Sequence, residues 1–223
     1  MLIVICFFWS CKTEKKQDVT DKKMLEQDSL KRAEQYISSI DYDVSQWKEL
    51  TTEDGVILDV RYATTNNFTK KQIYDCGRCF LRPELADRIL GLQKDIQQRY
   101  GLSLKLFDCY RPRPAQQKLW DVVPDETYVT HPSKGSMHNR GLAVDLTLVN
   151  KDGEELDMGT EYDFFGRRAH IDFYDLPDDV LKNRKLLAKM MEIQGLKGIQ
   201  SEWWHYSLKT EQAPLDDWVW PCD

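Results

Sequence analysis

The run Leu142-Ala143-Val144-Asp145-Leu146-Thr147-Leu148 sets the tightest limit on how this chain can fold. It reads as a strand, with Leu142, Val144, Leu146 and Leu148 on one face and Ala143, Asp145 and Thr147 on the other. A carboxylate in so apolar a strand is costly to bury unless a positive partner meets it. Any fold of this chain must therefore bring a cation to Asp145. Two polar motifs offer the means. The approach to the strand is Ser136-Met137-His138-Asn139-Arg140-Gly141, and Glu202-Trp203-Trp204-His205 lies near the C-terminus.

Together these motifs supply two imidazoles and two carboxylates, a donor set suited to one zinc ion. A catalytic zinc takes three protein ligands and leaves a fourth position to water. His138, Asp145 and His205 fit the three ligand positions, and Glu202 fits a general base beside them. The segment Trp203–Leu208 is rich in β-prone residues and reads as a strand. Residues three apart in a regular strand point to opposite faces. Glu202 and His205 can then serve one site only across a bulge or turn, or if Glu202 precedes the strand. The two other histidines, His131 before a proline and His170 after Arg167-Arg168, read as surface residues, and Trp203 and Trp204 as core packing.

Beyond these motifs lie Asp108-Cys109-Tyr110-Arg111-Pro112, the block Arg61-Tyr62-Ala63-Thr64-Thr65-Asn66-Asn67-Phe68-Thr69 and the block Met158-Gly159-Thr160-Glu161-Tyr162-Asp163-Phe164. In this order, over roughly positions 50 to 215, the set resembles the zinc D-alanyl-D-alanine dipeptidases of the VanX type. The resemblance implies His138, Asp145 and His205 as zinc ligands and Glu202 as general base. It also implies Arg111 facing the scissile carbonyl, Ser136 and Asp163 meeting the substrate's free amino group, and Tyr62 lining the pocket. The chain departs from vancomycin-resistance members at Met137 and Asn139, where they tend to carry Ser, and the departure bears on substrate fine specificity. Without the resemblance, Arg111, in the run Tyr110-Arg111-Pro112-Arg113-Pro114, would read as a surface ion-pair residue, Asp163 as a loop acid and Ser136 as a turn residue.

The implied chemistry is coherent. Zinc polarises a carbonyl and lowers the pKa of a water, Glu202 carries its proton to the leaving amine, and Arg111 stabilises the developing oxyanion. An ion pair between Asp163 and the substrate ammonium would make a free N-terminus a requirement. Two competing readings remain open: a D,D-carboxypeptidase or endopeptidase of the same zinc group acting on longer peptides, and a zinc-stabilised envelope module without turnover. The second accounts poorly for Glu202 and Arg111, since a structural zinc has a closed ligand shell.

Length and charge exclude other classes. The 223 residues suit one domain with a tail, and a net charge of −6 without a basic block argues against nucleic acid as a partner. No stretch of about 18 apolar residues marks a spanning helix. Met1 to Ser10 is apolar throughout, and Cys11 opens a charged run. This pattern resembles a bacterial lipoprotein signal over 1–11 with lipidation on Cys11, although the positively charged start of a secretory signal is missing. Residues 12–45 read as a polar tether or peripheral helix, and 46–223 as the dipeptidase domain. The implied location is the bacterial cell envelope, facing the periplasm, with a lipid anchor as the only membrane contact. A small dipeptide is the implied partner, drawn from wall turnover and not from cytosolic precursors.

Six cysteines fit an oxidising compartment. With Cys6 removed and Cys11 acylated, Cys76, Cys79, Cys109 and Cys222 remain, enough for two disulfides in any of three connectivities. Cys76-Gly77-Arg78-Cys79 also has the spacing of a redox pair or half a zinc ribbon, but no second pair accompanies it. A bridge at Cys109 would pin the segment that presents Arg111.

Strands are expected over Ile57–Arg61, Leu102–Cys109, Leu142–Leu148 and Trp203–Leu208. Helices are expected over Pro83–Tyr100, with Pro at its start and Gly101 after its end, over Pro114–Val122, and over Pro177–Gln194 closed by Gly195. Pro124–Gly135 reads as a loop and Asn150–Gly153 as a turn. Without regular βαβ alternation the class is α+β, a small, mostly antiparallel sheet carrying the zinc site and flanked by helices.

Overall fold

A computed structural model of the chain describes Gln27, residues 46–209 and residues 213–222. The lipidation site at Cys11 and, except for the helical Gln27, the 12–45 tether lie outside the described residues.

The expected strands assemble into a five-stranded sheet of order β2-β4-β5-β7-β6. Its members are β2 (Ile57–Leu58), β4 (Ser103–Asp108), β5 (Ala143–Val149), β6 (Leu196–Ile199) and β7 (Glu202–Leu208). Only the β2–β4 pairing is parallel. A separate antiparallel ribbon joins β1 (Lys48–Leu50) to β3 (Cys79–Leu81). Among the described residues three full helices accompany these two sheets, and the class is α+β, as expected. The strand read over Ile57–Arg61 is shorter than expected: β2 ends at Leu58, and Arg61–Ala63 turn into a 3-10 helix. Asp59 N–H still reaches the Leu106 carbonyl at 2.9 Å, and the turn then swings Tyr62 inward, 2% exposed.

Helix α1 (Pro83–Tyr100) starts on Pro83 and stops where Gly101 adopts φ 64°, its N–H closing on the Gln97 carbonyl. Leu85, Ile89, Leu92 and Ile96 form its buried stripe. Helix α2 (Arg113–Trp120) begins one residue earlier and ends two earlier than its sequence suggests. Helix α3 (Asp178–Ile193) carries Asp178 and Asp179 in its first turn, where the helix dipole favours acids. Leu104 and Leu106 of β4 and Val144, Leu146 and Leu148 of β5 join the α1 stripe and Leu187, Met190 and Met191 of α3 in one apolar cluster. Alternation sends Asp145 and Thr147 to the other face of β5.

Two disulfides tie the periphery to this core: Cys79–Cys109, closing 30 residues, and Cys76–Cys222, closing 146. Cys76 and Cys79 are thus not paired with each other. The C-terminal segment reaches back so that Trp218 and Trp220 pack on Phe80 and Tyr110.

Candidate active site and metal centre

Strand pairing brings the ligand candidates together. Asp145 on β5 and His205 on β7 are direct cross-strand partners, and their Oδ1 and Nδ1 stand 3.0 Å apart. His138 comes from the 3-10 turn His138–Arg140 that leads into β5. That turn closes on Gly141 at φ 68°, where a Cβ would meet Trp47 Cζ3 at 2.4 Å, so only glycine fits. His138 Nδ1–H donates to the Cys109 carbonyl at 2.7 Å, which leaves Nε2 as the free lone pair. Nε2 lies 3.0 Å from His205 Nδ1 and 3.2 Å from Asp145 Oδ1.

This donor set fits a zinc ion. Three lone-pair atoms converge at 3.0–3.2 Å from one another, close to the ~3.3 Å edge of a tetrahedron with zinc–ligand bonds of about 2.0–2.1 Å. A cluster so rich in acceptors needs a positive centre between its members. Among the described residues it is the one group of three or more His, Cys, Asp or Glu side chains spaced to hold a metal. Tyr162 donates its hydroxyl to the second Asp145 oxygen at 3.1 Å, the kind of contact that orients a ligand. Burial works against the Asp145 anion, but His138 and His205 outweigh it and hold its carboxyl well below the usual range. Burial likewise disfavours the His138 cation, while Asp145 brings its pKa to a net rise.

Glu202 opens β7, with Oε2 at 4.0 Å from His205 Nδ1. The β6–β7 register jumps here: Gly198 faces Tyr206, whereas the next residue, Ile199, faces Glu202. This irregularity supplies the bulge that the three-residue spacing required, and Glu202 and His205 line one cavity. Burial, opposed by His205 and aided by Asp145, pushes the Glu202 carboxyl up to about 7.

Arg111 is buried, contrary to the surface position its proline-rich run suggests. Its Nε and Nη2 donate to Asp108 Oδ2 at 2.9 and 2.7 Å, and Nη1 donates to Gln116 Oε1 at 3.0 Å. The guanidinium lies over the Tyr62 ring at 5.1 Å, with Nη2 at 3.9 Å from Asp145 Oδ2. Asp163 adopts φ 60°, a left-handed backbone that costs a non-glycine residue roughly 1–3 kcal/mol and clusters at functional positions. Its Oδ2 accepts from the Tyr62 hydroxyl at 2.9 Å. Burial, then the Asp145 charge, raise the Asp163 carboxyl to about 8. The Ser136 hydroxyl donates to Asn139 Oδ1 at 3.1 Å and accepts from the Asn139 backbone N–H at 3.4 Å, which leaves one lone pair for a ligand.

All eight residues singled out for the site (Tyr62, Arg111, Ser136, His138, Asp145, Asp163, Glu202 and His205) line one cavity of about 410 Å³. His131 and His170 stand apart from the ligand group, and Trp203 and Trp204 are core residues. Besides Gln116 and Tyr162, two further participants escaped the sequence reading. Asp108, fully buried, anchors Arg111 and accepts from the Tyr74 hydroxyl at 2.8 Å. Its signal was an acid ending an apolar strand three residues before an arginine. The Cys109 carbonyl, a backbone atom, has no sequence signature.

Comparison with known proteins identifies the family. The D-Ala-D-Ala dipeptidase model of the M15 peptidases matches residues 49–220. A D-alanyl-D-alanine dipeptidase of Escherichia coli K12 is 42% identical over 153 residues, covering 68% of this chain and 78% of the relative. Another from Enterococcus faecium is 35% identical over 181 residues, covering 72% and 89% respectively. One from Streptomyces coelicolor is 33% identical over the same shares of each chain. The chain is thus a peptidase and belongs to the D-Ala-D-Ala dipeptidase family of M15 peptidases.

Proposed function

We propose that this peptidase hydrolyses D-alanyl-D-alanine or a closely similar dipeptide, with one zinc ion held by His138, Asp145 and His205. The observation that carries the reading is the convergence of these three donors with Glu202, Arg111 and Asp163 on a single cavity. Zinc at this site would polarise the scissile carbonyl and lower the pKa of a water towards about 7.

The remaining chemistry belongs to the chain's own residues. Glu202, with its pKa near neutrality, takes a proton from the attacking water and delivers it to the departing amine, so the C–N bond breaks as the amine is protonated. Arg111, fixed by Asp108 and Gln116, keeps N–H groups free for the oxyanion, and its preorganisation is worth roughly 3 kcal/mol at the transition state. Asp163 receives the substrate ammonium, oriented by Tyr62, with the Ser136 oxygen as a second acceptor. Such an ammonium would favour the Asp163 anion and offset the burial that disfavours it. The requirement for a free amino terminus follows, and it separates a dipeptidase from a carboxypeptidase acting on longer peptides.

Two disulfides support an oxidising compartment, and we read the protein as an envelope enzyme, anchored at Cys11, that scavenges dipeptides from wall turnover. Among the described residues no helix is long and apolar enough to cross a membrane. Amine release from D-Ala-D-Ala by the zinc-loaded chain tests the activity, with N-acetyl-D-Ala-D-Ala as control. Cleavage of the free dipeptide alone is expected. Cleavage of the blocked compound would move the assignment to a carboxypeptidase.

A further inference from the structure

The chemistry above makes no use of the disulfides, yet one of them ends at the residue that orients a metal ligand. The carbonyl that accepts from His138 Nδ1 belongs to Cys109, and Cys109 is bonded to Cys79. Cys109 follows the last β4–β5 ladder pair, Asp108 with Asp145, at a point where the β4 register has already shifted. The five-stranded sheet's own hydrogen bonds therefore no longer fix this carbonyl; the other end of its peptide, the Tyr110 N–H, donates instead to the Phe80 carbonyl at 2.9 Å. Cys79 lies in the small β1–β3 ribbon, which is not a member of the five-stranded sheet. The bridge ties ribbon to sheet at the residue whose carbonyl sets the His138 tautomer. Neighbouring bonds continue the lacing, since Arg111 N–H donates to the His138 carbonyl at 3.1 Å and Asn139 Nδ2 donates to the Arg111 carbonyl at 2.7 Å.

We propose that the Cys79–Cys109 disulfide is a positioning element of the metal site: it holds the Cys109 carbonyl where it orients His138, and full metal affinity requires the bridge to be closed. The inference rests on the reading of His138 as a zinc ligand. Both cysteines are buried, 0% and 2% exposed. Opening the bridge puts two thiols at non-bonded distance in a close-packed interior, so the backbone at Cys109 must yield. Loss of a partner that orients a metal-bound histidine typically costs 10–100-fold in metal affinity. Here the partner is loosened and not deleted, and a loss of about tenfold is expected.

The second bridge is a built-in control. Cys76–Cys222 closes 146 residues against 30, so its removal should cost more global stability. It ends in the C-terminal segment and touches no ligand candidate. Stability and positioning thus load on different bridges.

The test compares the full-length wild type with C79A/C109A and C76A/C222A. Zinc dissociation constants come from competition with a chromogenic chelator, thermal midpoints from calorimetry, and protection of the His138 Nδ1 proton from NMR. Expected are one tight zinc per wild-type chain and about tenfold weaker zinc with faster Nδ1 proton exchange in C79A/C109A. For C76A/C222A the expectation is the larger drop in thermal midpoint with wild-type zinc affinity. Wild-type affinity in C79A/C109A overturns the proposal, and so does equal loss in both variants. Should C79A/C109A not fold, folded C76A/C222A, in which Cys79–Cys109 is the bridge that remains, is reduced with a phosphine. The phosphine donates two electrons and leaves as its oxide, with oxygen and two protons drawn from water, and alkylation identifies the opened bridge. Species open at Cys79–Cys109 should hold zinc about tenfold more weakly, and tight zinc in them overturns the proposal. A wild type that binds no stoichiometric zinc would instead overturn the metal reading itself, and this inference with it.

Discussion

Asp145 shows how much one carboxylate can demand. Its two oxygens are shared among His205, His138 and Tyr162, and its neighbour on the same face, Thr147, receives nothing. Among the described residues the Thr147 hydroxyl is the one buried side-chain polar atom without a hydrogen-bond partner. Replacing it by the near-isosteric Val removes an unmet desolvation cost, so Thr147→Val should be neutral or stabilising by up to about 1 kcal/mol in urea unfolding. Asp108 is the opposite case. Asp108→Ala would leave Arg111 buried without its carboxylate, and a loss of about 3–5 kcal/mol is expected by the same measurement. Glu202→Gln keeps the shape and removes the proton carrier. It should retain one zinc per chain by metal analysis yet lower kcat by about 10³-fold, and activity near wild type would refute the role given to Glu202.

At the scale of elements, the site depends on register. β5 and β7 bring Asp145 and His205 opposite each other, and the β6–β7 irregularity turns Glu202 into the same cavity. A metal held there would bind the 3-10 turn, β5 and β7 to one another. Chelation should therefore lower the thermal midpoint in proportion to the free energy of binding, and addition of zinc should restore it. Much of this was legible in the sequence. Pro83 and Gly101 bounded α1, alternation identified β5, and the awkward spacing of Glu202 and His205 announced a break in the strand. What stayed hidden was non-local. Nothing in Leu142–Leu148 reveals that its centre will face His205, and the burial of Arg111 depends on Asp108 and Gln116, which only the fold brings to it. The shortened β2 escaped because Val60 suits a strand by propensity, while the chain turns at Arg61 into the 3-10 helix that brings Tyr62 to the pocket.

On the scale of the whole molecule, the segment carrying Trp218 and Trp220 is packed against the rest of the fold. Trp220 is 4% exposed, the Tyr110 hydroxyl donates to the Trp218 carbonyl at 2.9 Å, and Arg82 and Arg113 pair with Asp216 and Asp217. Loop-closure entropy alone assigns about 5 kcal/mol to the Cys76–Cys222 bridge, against about 3.5 kcal/mol to Cys79–Cys109. A chain ending at Asp217 loses that bridge and both tryptophans, and its thermal midpoint should fall by more than that of C76A/C222A. There is a temporal side to this arrangement. Phe80 and Tyr110 emerge from the ribosome more than a hundred residues before the tryptophans that cover them. Until those tryptophans and Cys222 are made, Phe80 and Tyr110 stay uncovered by them and Cys76 has no partner. The fold is therefore completed late: the Cys76–Cys222 bridge and the Trp218 and Trp220 caps close only after every strand of the five-stranded sheet has been made.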